Sequence, residues 1–282
     1  METFRIALLV NSKAGKGKSH STATAVASYL QHRSLSFEVF VDDWPFSFDT
    51  FSDIWLFGGD GTLNYFINHY PDTKLPLSVF KAGTGNDFSF LLYGNKTPEE
   101  QAAYVLTCKP RPVDAGICNE FLFLGSIGIG FDGAVLQQMN RIRSWGGSLG
   151  YYMAVLRQVI SFKEKNFCII SQRLLFDQRL LLVMIHNSCR TGGGFLVSPK
   201  SSIHDGLLDL IVCKPLSVWK RLLHLPSIQK GTHLTLPFIE HIVGDSFVVT
   251  CEVPLPAQCD GELFYAQTFR CSISKERFFF RY

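Results

Sequence analysis

The stretch that most constrains this chain runs from Asp53 to Asn64. An apolar run, Asp53–Phe57, stops abruptly at Gly58-Gly59-Asp60-Gly61-Thr62, and Leu63-Asn64 then open a helix-compatible segment. Glycines admit positive φ and let a ligand come close to the backbone. A strand that ends in such a turn ahead of a helix offers free N–H groups to an anion, most often a phosphate. Asp60 in the middle of the turn would repel a phosphate unless a divalent cation or a substrate hydroxyl stood between them, which points to phosphoryl transfer with Mg²⁺. The plainer alternative is a tight strand–helix turn with the aspartate as a local cap.

Two further turns of the same kind follow apolar runs. Phe4–Val10 ends at Asn11-Ser12-Lys13-Ala14-Gly15-Lys16-Gly17-Lys18, and Ser19 or Ser21 is placed to cap a helix running to about His32. Gly17-Lys18-Ser19 resembles the end of a P-loop, but the first glycine of that motif would fall on Ser12, so no Walker motif is assigned. Backbone amides with Lys13 or Lys16 can still hold phosphate; a solvated basic turn is the alternative. Leu75–Phe80 leads into Lys81-Ala82-Gly83-Thr84-Gly85-Asn86-Asp87, whose Asn-Asp pair suits a helix cap. With Phe37–Val41 as a further strand, the strand–helix alternation predicts a parallel, doubly wound sheet covered on both faces. The three turns then line one nucleotide crevice at the strands' C-terminal ends. In that setting Gly59→Val is expected to block phosphate approach while leaving the fold largely intact.

Beyond Lys109-Pro110-Arg111-Pro112 the pattern changes. Val113–Ile117, Glu120–Ile129, Asn166–Arg173, Leu180–Asn187, Leu207–Cys213, Phe238–Val243, Ser246–Glu252 and Thr268–Ser274 read as closely spaced strands, and Gly147–Phe162 and Ser217–Ile228 as helices. So many short strands predict an all-β sandwich or barrel. Four local patterns stand out here: Gly128-Ile129-Gly130-Phe131-Asp132, Arg190-Thr191-Gly192-Gly193-Gly194, His204-Asp205-Gly206 and Cys259-Asp260-Gly261-Glu262. Each has an ordinary reading as a turn. Asp205 can also hold a cation with nearby carbonyl oxygens, and Asp260 with Glu262 supply a carboxylate pair.

Composition excludes several classes. With 46% hydrophobic and 18% charged residues the chain is globular, and its 282 residues suit one large or two modest domains. A net charge of +3 without a basic stripe argues against a nucleic-acid partner. The eight cysteines form no CxxC pair; Cys168, Cys213, Cys251 and Cys271 lie in apolar runs and are expected as buried, reduced thiols. The first residues read as a buried strand rather than a signal peptide, and no apolar run reaches membrane-spanning length, so a cytoplasmic protein is expected. Basic residues beside aromatic and apolar ones, at Arg141, Arg143 and Trp145 and at Trp219, Lys220 and Arg221 ahead of Leu222, Leu223 and Leu225, suit peripheral contact with a membrane.

In their order along the chain, GGDGTLN, KAGTGNDF, GIGFDG, GGGFLVSPKSSIHDGLLDL and CDGELF resemble the diacylglycerol kinase catalytic-domain family, in its bacterial lipid kinase branch related to sphingosine and ceramide kinases. GGDG alone is shared with NAD kinases. The resemblance implies an α/β plus all-β chain: an N-terminal three-layer α/β nucleotide-binding domain over 1–112, completed by 272–282, and a C-terminal β-sandwich over 113–271 that faces a lipid. It implies transfer of the ATP γ-phosphate to a lipid hydroxyl. Asn11, Ser12, Lys13, Ala14, Gly15, Gly58, Gly59, Asp60, Gly61, Thr62, Leu63, Asn64 and Thr84 would contact ATP. Asp205, with the carbonyls of Ser202 and Leu207, would hold a structural Mg²⁺. Glu262 would accept the proton, with Asp260 beside it, and Asp60 would organise a catalytic Mg²⁺ or the attacking hydroxyl. The chain would work at the inner membrane surface, and a homodimer is compatible with this reading. Two positions depart from the family pattern. Ser12 stands where the first turn usually has proline, and Phe80-Lys81 replaces a leucine- or isoleucine-proline pair. Lys81 is left to face phosphate or solvent. A soluble-metabolite kinase of the NAD kinase type and an inactive nucleotide-binding module are the competing readings; GTGNDF with HDGLLDL disfavours the first, and the retained carboxylates disfavour the second.

Overall fold

The computed structural model describes residues 4–141, 148–172 and 174–282. Arg143, Trp145 and the side chain of Arg141 lie outside the described residues. The chain forms two compact units, Met1–Val113 with Glu276–Tyr282, and Asp114–Lys275.

The first unit alternates strand and helix through β1 (Arg5–Val10), α1 (Lys18–His32), β2 (Ser36–Val41), β3 (Asp53–Gly58), α2 (Asp60–His69), β4 (Leu77–Lys81), α3 (Asp87–Tyr93) and α4 (Pro98–Thr107). Its strands are parallel in the order β4-β3-β1-β2. Every residue of β3 is buried, as in a sheet covered on both faces, whereas β2 is an edge strand with four of its six residues exposed. The chain leaves β1 towards β2 on one side and is flanked by β3 on the other, so the switch of strand order falls at the C-terminal end of β1. α1 begins at Lys18 with Gly17 as its N-cap, and neither Ser19 nor Ser21 caps it; the Ser19 hydroxyl instead donates to the Asn11 carbonyl at 2.6 Å.

Two strands run across the division between the units, β5 (Pro110–Cys118) and β14 (Glu262–Arg281). The end of β14 pairs in parallel with β4 through Phe280 and Leu77. One residue on, the Arg281 guanidinium grips the fully buried Asp53 carboxylate with two bonds, at 2.5 and 3.0 Å, and donates a third to the Cys108 carbonyl.

The second unit contains β6 (Phe121–Phe123), β7 (Ser126–Ile129), α5 (Phe131–Arg141), α6 (Ser148–Ser161), β8 (Lys165–Ser171), β9 (Leu174–Leu180), β10 (Leu182–His186), β11 (Leu208–Cys213), α7 (Val218–Gln229), β12 (Ile239–Gly244) and β13 (Ser246–Cys259). Its strands are antiparallel, in the order β12-β11-β10-β7-β13-β14, with β8 and β9 added beside β13. β13 serves two partners. Val248–Cys251 pair with β8 and Ala257–Cys259 with β7, and between them β13 advances from Thr250 to Leu255 while β14 moves only from Thr268 to Ala266. A strand that bulges and changes neighbours in this way makes the corner of a sandwich. The inner residues keep a period of two: Ile127 and Ile129, Phe167 and Ile169, Val183 and Ile185, Leu208, Leu210 and Val212, Phe247, Val249 and Cys251 all share one core. The same parity turns Cys168 outward. It is half-buried rather than buried, while Cys213, Cys251 and Cys271 are buried as expected, and all eight cysteines are free. Among the described residues no helix is long and apolar enough to cross a membrane.

Arg281→Met would leave the buried Asp53 carboxylate without its cation, a defect that typically costs about 3–5 kcal/mol. Burial already pushes the Asp53 carboxyl above the usual carboxylate range, although Arg281 pulls it back. A raised native pKa means that protonation favours the folded state, and that this contribution is lost as pH rises through it. The stability deficit of Arg281→Met, measured by denaturant unfolding, should therefore be largest at neutral pH and shrink towards about pH 4.

Candidate active site

In the first unit the three glycine-rich turns meet at the C-terminal ends of β1, β3 and β4. Asn11 Nδ2 donates to the Thr62 hydroxyl at 2.9 Å, joining the first turn to the second. Gly15 lies against the third: a Cβ there would sit 1.8 Å from the Ala82 carbonyl oxygen. The second and third turns touch backbone to backbone, because a Cβ on Gly83 would come within 2.4 Å of the Gly59 Cα. Asp60 completes the junction, its two carboxylate oxygens accepting from the Asp87 and Phe88 amides at 3.0 and 3.1 Å. A carboxylate on the first amides of α3 satisfies donors that the helix itself leaves open and suits the positive end of its dipole. Asn86 holds the third turn closed, exchanging bonds of 2.8 Å with the Gly83 amide and carbonyl.

The two departures from the family pattern acquire definite roles. The Ser12 amide and hydroxyl both donate to Asp42, at 2.8 and 2.5 Å, and tie the first turn to the end of β2. Those bonds hold the exposed Asp42 carboxyl below its usual range, the Ser12 hydroxyl contributing most. A proline at this position would have neither donor. The Lys81 ammonium bonds the Gly94 carbonyl at the end of α3 and lies 5.2 Å above the Phe90 ring, with the residue half-buried. A cation there complements the negative end of α3.

Gly59→Val therefore does not leave the fold intact, since even its Cβ would lie 2.7 Å from the Gly83 Cα. Forcing such a contact typically costs about 1–3 kcal/mol. Gly61, by contrast, opens on empty space from within α2, and Gly61→Ala should raise stability by about 0.5–1 kcal/mol. Paired unfolding curves of the two variants check both signs.

In the second unit the carboxylate pair sits at the tip of the β13–β14 hairpin. Cys259 pairs with Glu262, and Asp260 and Gly261 make the turn with φ of 45° and 91°. Two successive left-handed residues give the turn whose twist matches the flanking strands. Asp260 is anchored from outside the hairpin: the amides of Leu124, Gly125 and Ser126 donate to its carboxylate at 2.7, 3.0 and 2.8 Å. Glu262, one step past the turn, is exposed. The turn thus separates the two side chains, one fixed in the backbone and one presented outward. Thr191 reaches the same anchor, its hydroxyl 3.2 Å from that of Ser126, and the three glycines after it close a small loop between Thr191 and Phe195.

A residue without an assigned role also belongs here. Gln258, buried in β13, accepts from the Gly261 amide at 2.9 Å and bonds Asp132 on the first turn of α5. Burial pushes the Asp132 carboxyl up to about 6, against the pull of Gln258. GIGFDG marked this place without indicating a raised pKa, which arises only when α5 folds over the sheet.

Asp205 lies in a third place. Its Oδ1 accepts from the Leu207 amide at 3.0 Å, and burial, then the neighbouring Asp209 and Asp114, push its carboxyl above the ordinary range. Asp114 in turn accepts from the Gly206 amide at 2.8 Å. Excess negative charge around hard oxygen donors fits a cation such as Mg²⁺. Among the described residues no three acidic, histidine or cysteine side chains converge to hold a metal, so a cation here depends on carbonyl oxygens such as those of Ser202 and Leu207.

Residues 5–118 match the diacylglycerol kinase catalytic domain, and residues 125–274 match the YegS C-terminal NAD kinase beta sandwich-like domain. A diacylglycerol kinase of Mycobacterium tuberculosis is 26% identical over 295 residues, which covers 98% of this chain and 92% of the relative. One from Bacillus subtilis is 25% identical over 209 residues, covering 73% of this chain and 69% of its own. The fold is shared with the crystal structure of a diacylglycerol kinase from Bacillus anthracis str. Sterne, with a TM-score of 0.75 at 21% identity over 100% of this chain and 98% of that one. Since the YegS C-terminal sandwich-like domain alone accounts for more than half of the residues, and a diacylglycerol kinase catalytic domain precedes it, the chain belongs to the YegS-like family of lipid kinases.

Proposed function

We propose that the protein transfers the γ-phosphate of ATP to a hydroxyl of a lipid such as diacylglycerol or a sphingoid base, in a Mg²⁺-dependent reaction. The observation that carries this reading is the meeting of three glycine-rich turns at the ends of parallel strands. Phosphoryl transfer needs little covalent help; it needs phosphates held in place and their charge neutralised. In this reading Asn11–Gly15, Gly58–Asn64 and Thr84 hold ATP through backbone amides and short polar side chains. Asp60, engaged by α3, is a positioning residue that keeps the second and third turns in register. Bound Mg²⁺ would offset the negative charge of the transferring phosphoryl group.

Glu262 is the proposed proton acceptor, exposed beside a turn that Asp260 fixes. A carboxylate is a weak base towards an alcohol, so it takes the proton late, as the new bond to phosphorus forms. Its place one residue after the turn makes the hydroxyl's position depend on the Leu124–Ser126 backbone. Asp205, with the Ser202 and Leu207 carbonyls, is the proposed seat of a structural Mg²⁺.

A radiolabelled-ATP assay against a panel of lipids, with NAD⁺ as the soluble control, tests the activity: label in a lipid supports it, and label in NAD⁺ alone rejects it. Glu262→Gln should lower turnover by about 10²–10⁴-fold with nucleotide affinity and melting temperature unchanged. Asp260→Asn should lower turnover and melting temperature together, because three backbone donors lose their charged acceptor. A ligand that binds only the native state raises its stability, so Mg²⁺ should raise the melting temperature of the parent protein and not that of Asp205→Asn.

A further inference from the structure

Two glycines press α5 onto the sheet of the second unit. A Cβ on Gly133 would lie 2.3 Å from the Pro256 carbonyl, so the first turn of the helix rests on the backbone of β13. A Cβ on Gly128 of β7 would lie 2.4 Å from Asp132 Oδ2, so the Asp132 carboxyl fills the space that a side chain would need. Gly128 is the ladder partner of Gln258 on β13, and paired residues share one face of a sheet. The Asp132 carboxyl therefore lies beside the Gln258 side chain. Further along α5, Gln137 donates to the Tyr265 hydroxyl of β14 at 2.7 Å, a second tie between this helix and the hairpin.

Gln258 links that carboxyl to the turn ahead of Glu262. Its Oε1 accepts from the Gly261 amide at 2.9 Å, which leaves its amide nitrogen to donate to Asp132. Gly261 lies in the turn between the paired Cys259 and Glu262, off the ladder, and Gln258 supplies the acceptor that its amide needs. Asp260 is held by other atoms. Its amide donates to the Ser126 carbonyl at 3.0 Å, and its carboxylate takes the Leu124, Gly125 and Ser126 amides. The two residues of the turn thus have separate anchors, and Glu262 follows directly. Gln258 is only 6% exposed, so its two bonds are not solvated surface contacts, and breaking them strands buried polar groups.

We propose that Asp132 and Gln258 are positioning residues for the proton acceptor. The Asp132 carboxyl orients the Gln258 amide, and Gln258 fixes the Gly261 amide and with it the direction in which Glu262 is presented. Displacing a reacting group by about 1 Å can cost about 10²-fold in rate. The task asks Asp132 for an acceptor rather than for a charge, because Gln258 donates to it. The effect on turnover rests on the reading of Glu262 as the base, whereas the hold on the turn does not.

The experiment combines three measurements on the full-length chain: turnover with ATP and diacylglycerol, nucleotide affinity by calorimetry, and hydrogen exchange of the Gly261 amide by NMR with glycine-selective labelling. Gln258→Leu removes both bonds and should speed Gly261 exchange and lower turnover by about 10²-fold, with nucleotide affinity unchanged. Asp132→Asn should keep exchange and turnover near the parent's, since its side-chain oxygen still accepts from Gln258. Gln258→Glu sets a second carboxylate against Asp132 and should lower turnover. Adding Asp132→Asn to it should restore turnover, because the hydrogen bond re-forms with its direction reversed. Parent-level turnover in Gln258→Leu overturns the proposal, as does lost turnover with Gly261 exchange unchanged. Lost turnover in Asp132→Asn with exchange unchanged also overturns it, and would place Asp132 against the acceptor itself. Where Gln258→Leu fails to fold, the Gln258→Glu pair decides: rescue by Asp132→Asn upholds the proposal and failure to rescue overturns it. If the parent phosphorylates no lipid, faster exchange in Gln258→Leu upholds the hold on the turn and rejects the kinase reading, while unchanged exchange rejects both.

Discussion

Gly59 against Gly83 is the contact on which the junction of the three glycine-rich turns depends. Two backbones this close leave no room for a side chain, and the spacing between the ends of β3 and β4 follows from it. Once that spacing is set, the Asp60 carboxylate reaches the first amides of α3, Thr62 reaches Asn11, and Gly15 nests against Ala82. Each of these links is short, and each would be lost if the turns moved apart by the width of one methyl group. Preorganisation of this kind matters for phosphate binding, because amides aimed before the ligand arrives need no reordering when it binds.

A common principle governs the carboxylates of the motifs. Asp42, Asp60, Asp114 and Asp260 all accept from backbone amides of segments remote in sequence. An ionised acceptor bonds more strongly than a neutral one, and backbone donors hold it in a fixed direction. These aspartates therefore work as clamps between loops, and the short aspartate side chain suits the task. Asp205, which accepts from Leu207 two residues on, departs from this, as does Glu262, longer and presented outward beside the clamp formed by its neighbour.

Local pattern made the parallel strands and most of the antiparallel ones legible, because burial on one face writes itself into alternate residues. Where it failed, the reasons are specific. The strand read as ending at Glu252 continues to Cys259, because Pro254 falls where the register shifts and no ladder bond is asked of it. α5 went unread because it opens on Phe131-Asp132-Gly133, which looks like a turn, and Leu174–Leu180 because its polar centre, Asp177-Gln178-Arg179, hides the alternation. The three glycine-rich turns that meet at the strand ends could be found from glycines alone. The partners of their polar residues could not: Asp60 meets amides 27 and 28 positions away, and Asp260 meets them 134 to 136 positions away. Lys81 shows the same limit, since only the fold brings the end of α3 over it.

The bond between Asp53 and Arg281 also orders events in time. On the ribosome, β1, β3 and β4 emerge long before β14, and the whole of the second unit is synthesised between Asp53 and its cation. During that interval the first unit either buries an uncompensated carboxylate or leaves that part of its core open. The core of the first unit therefore cannot be completed until Arg281 has left the exit tunnel.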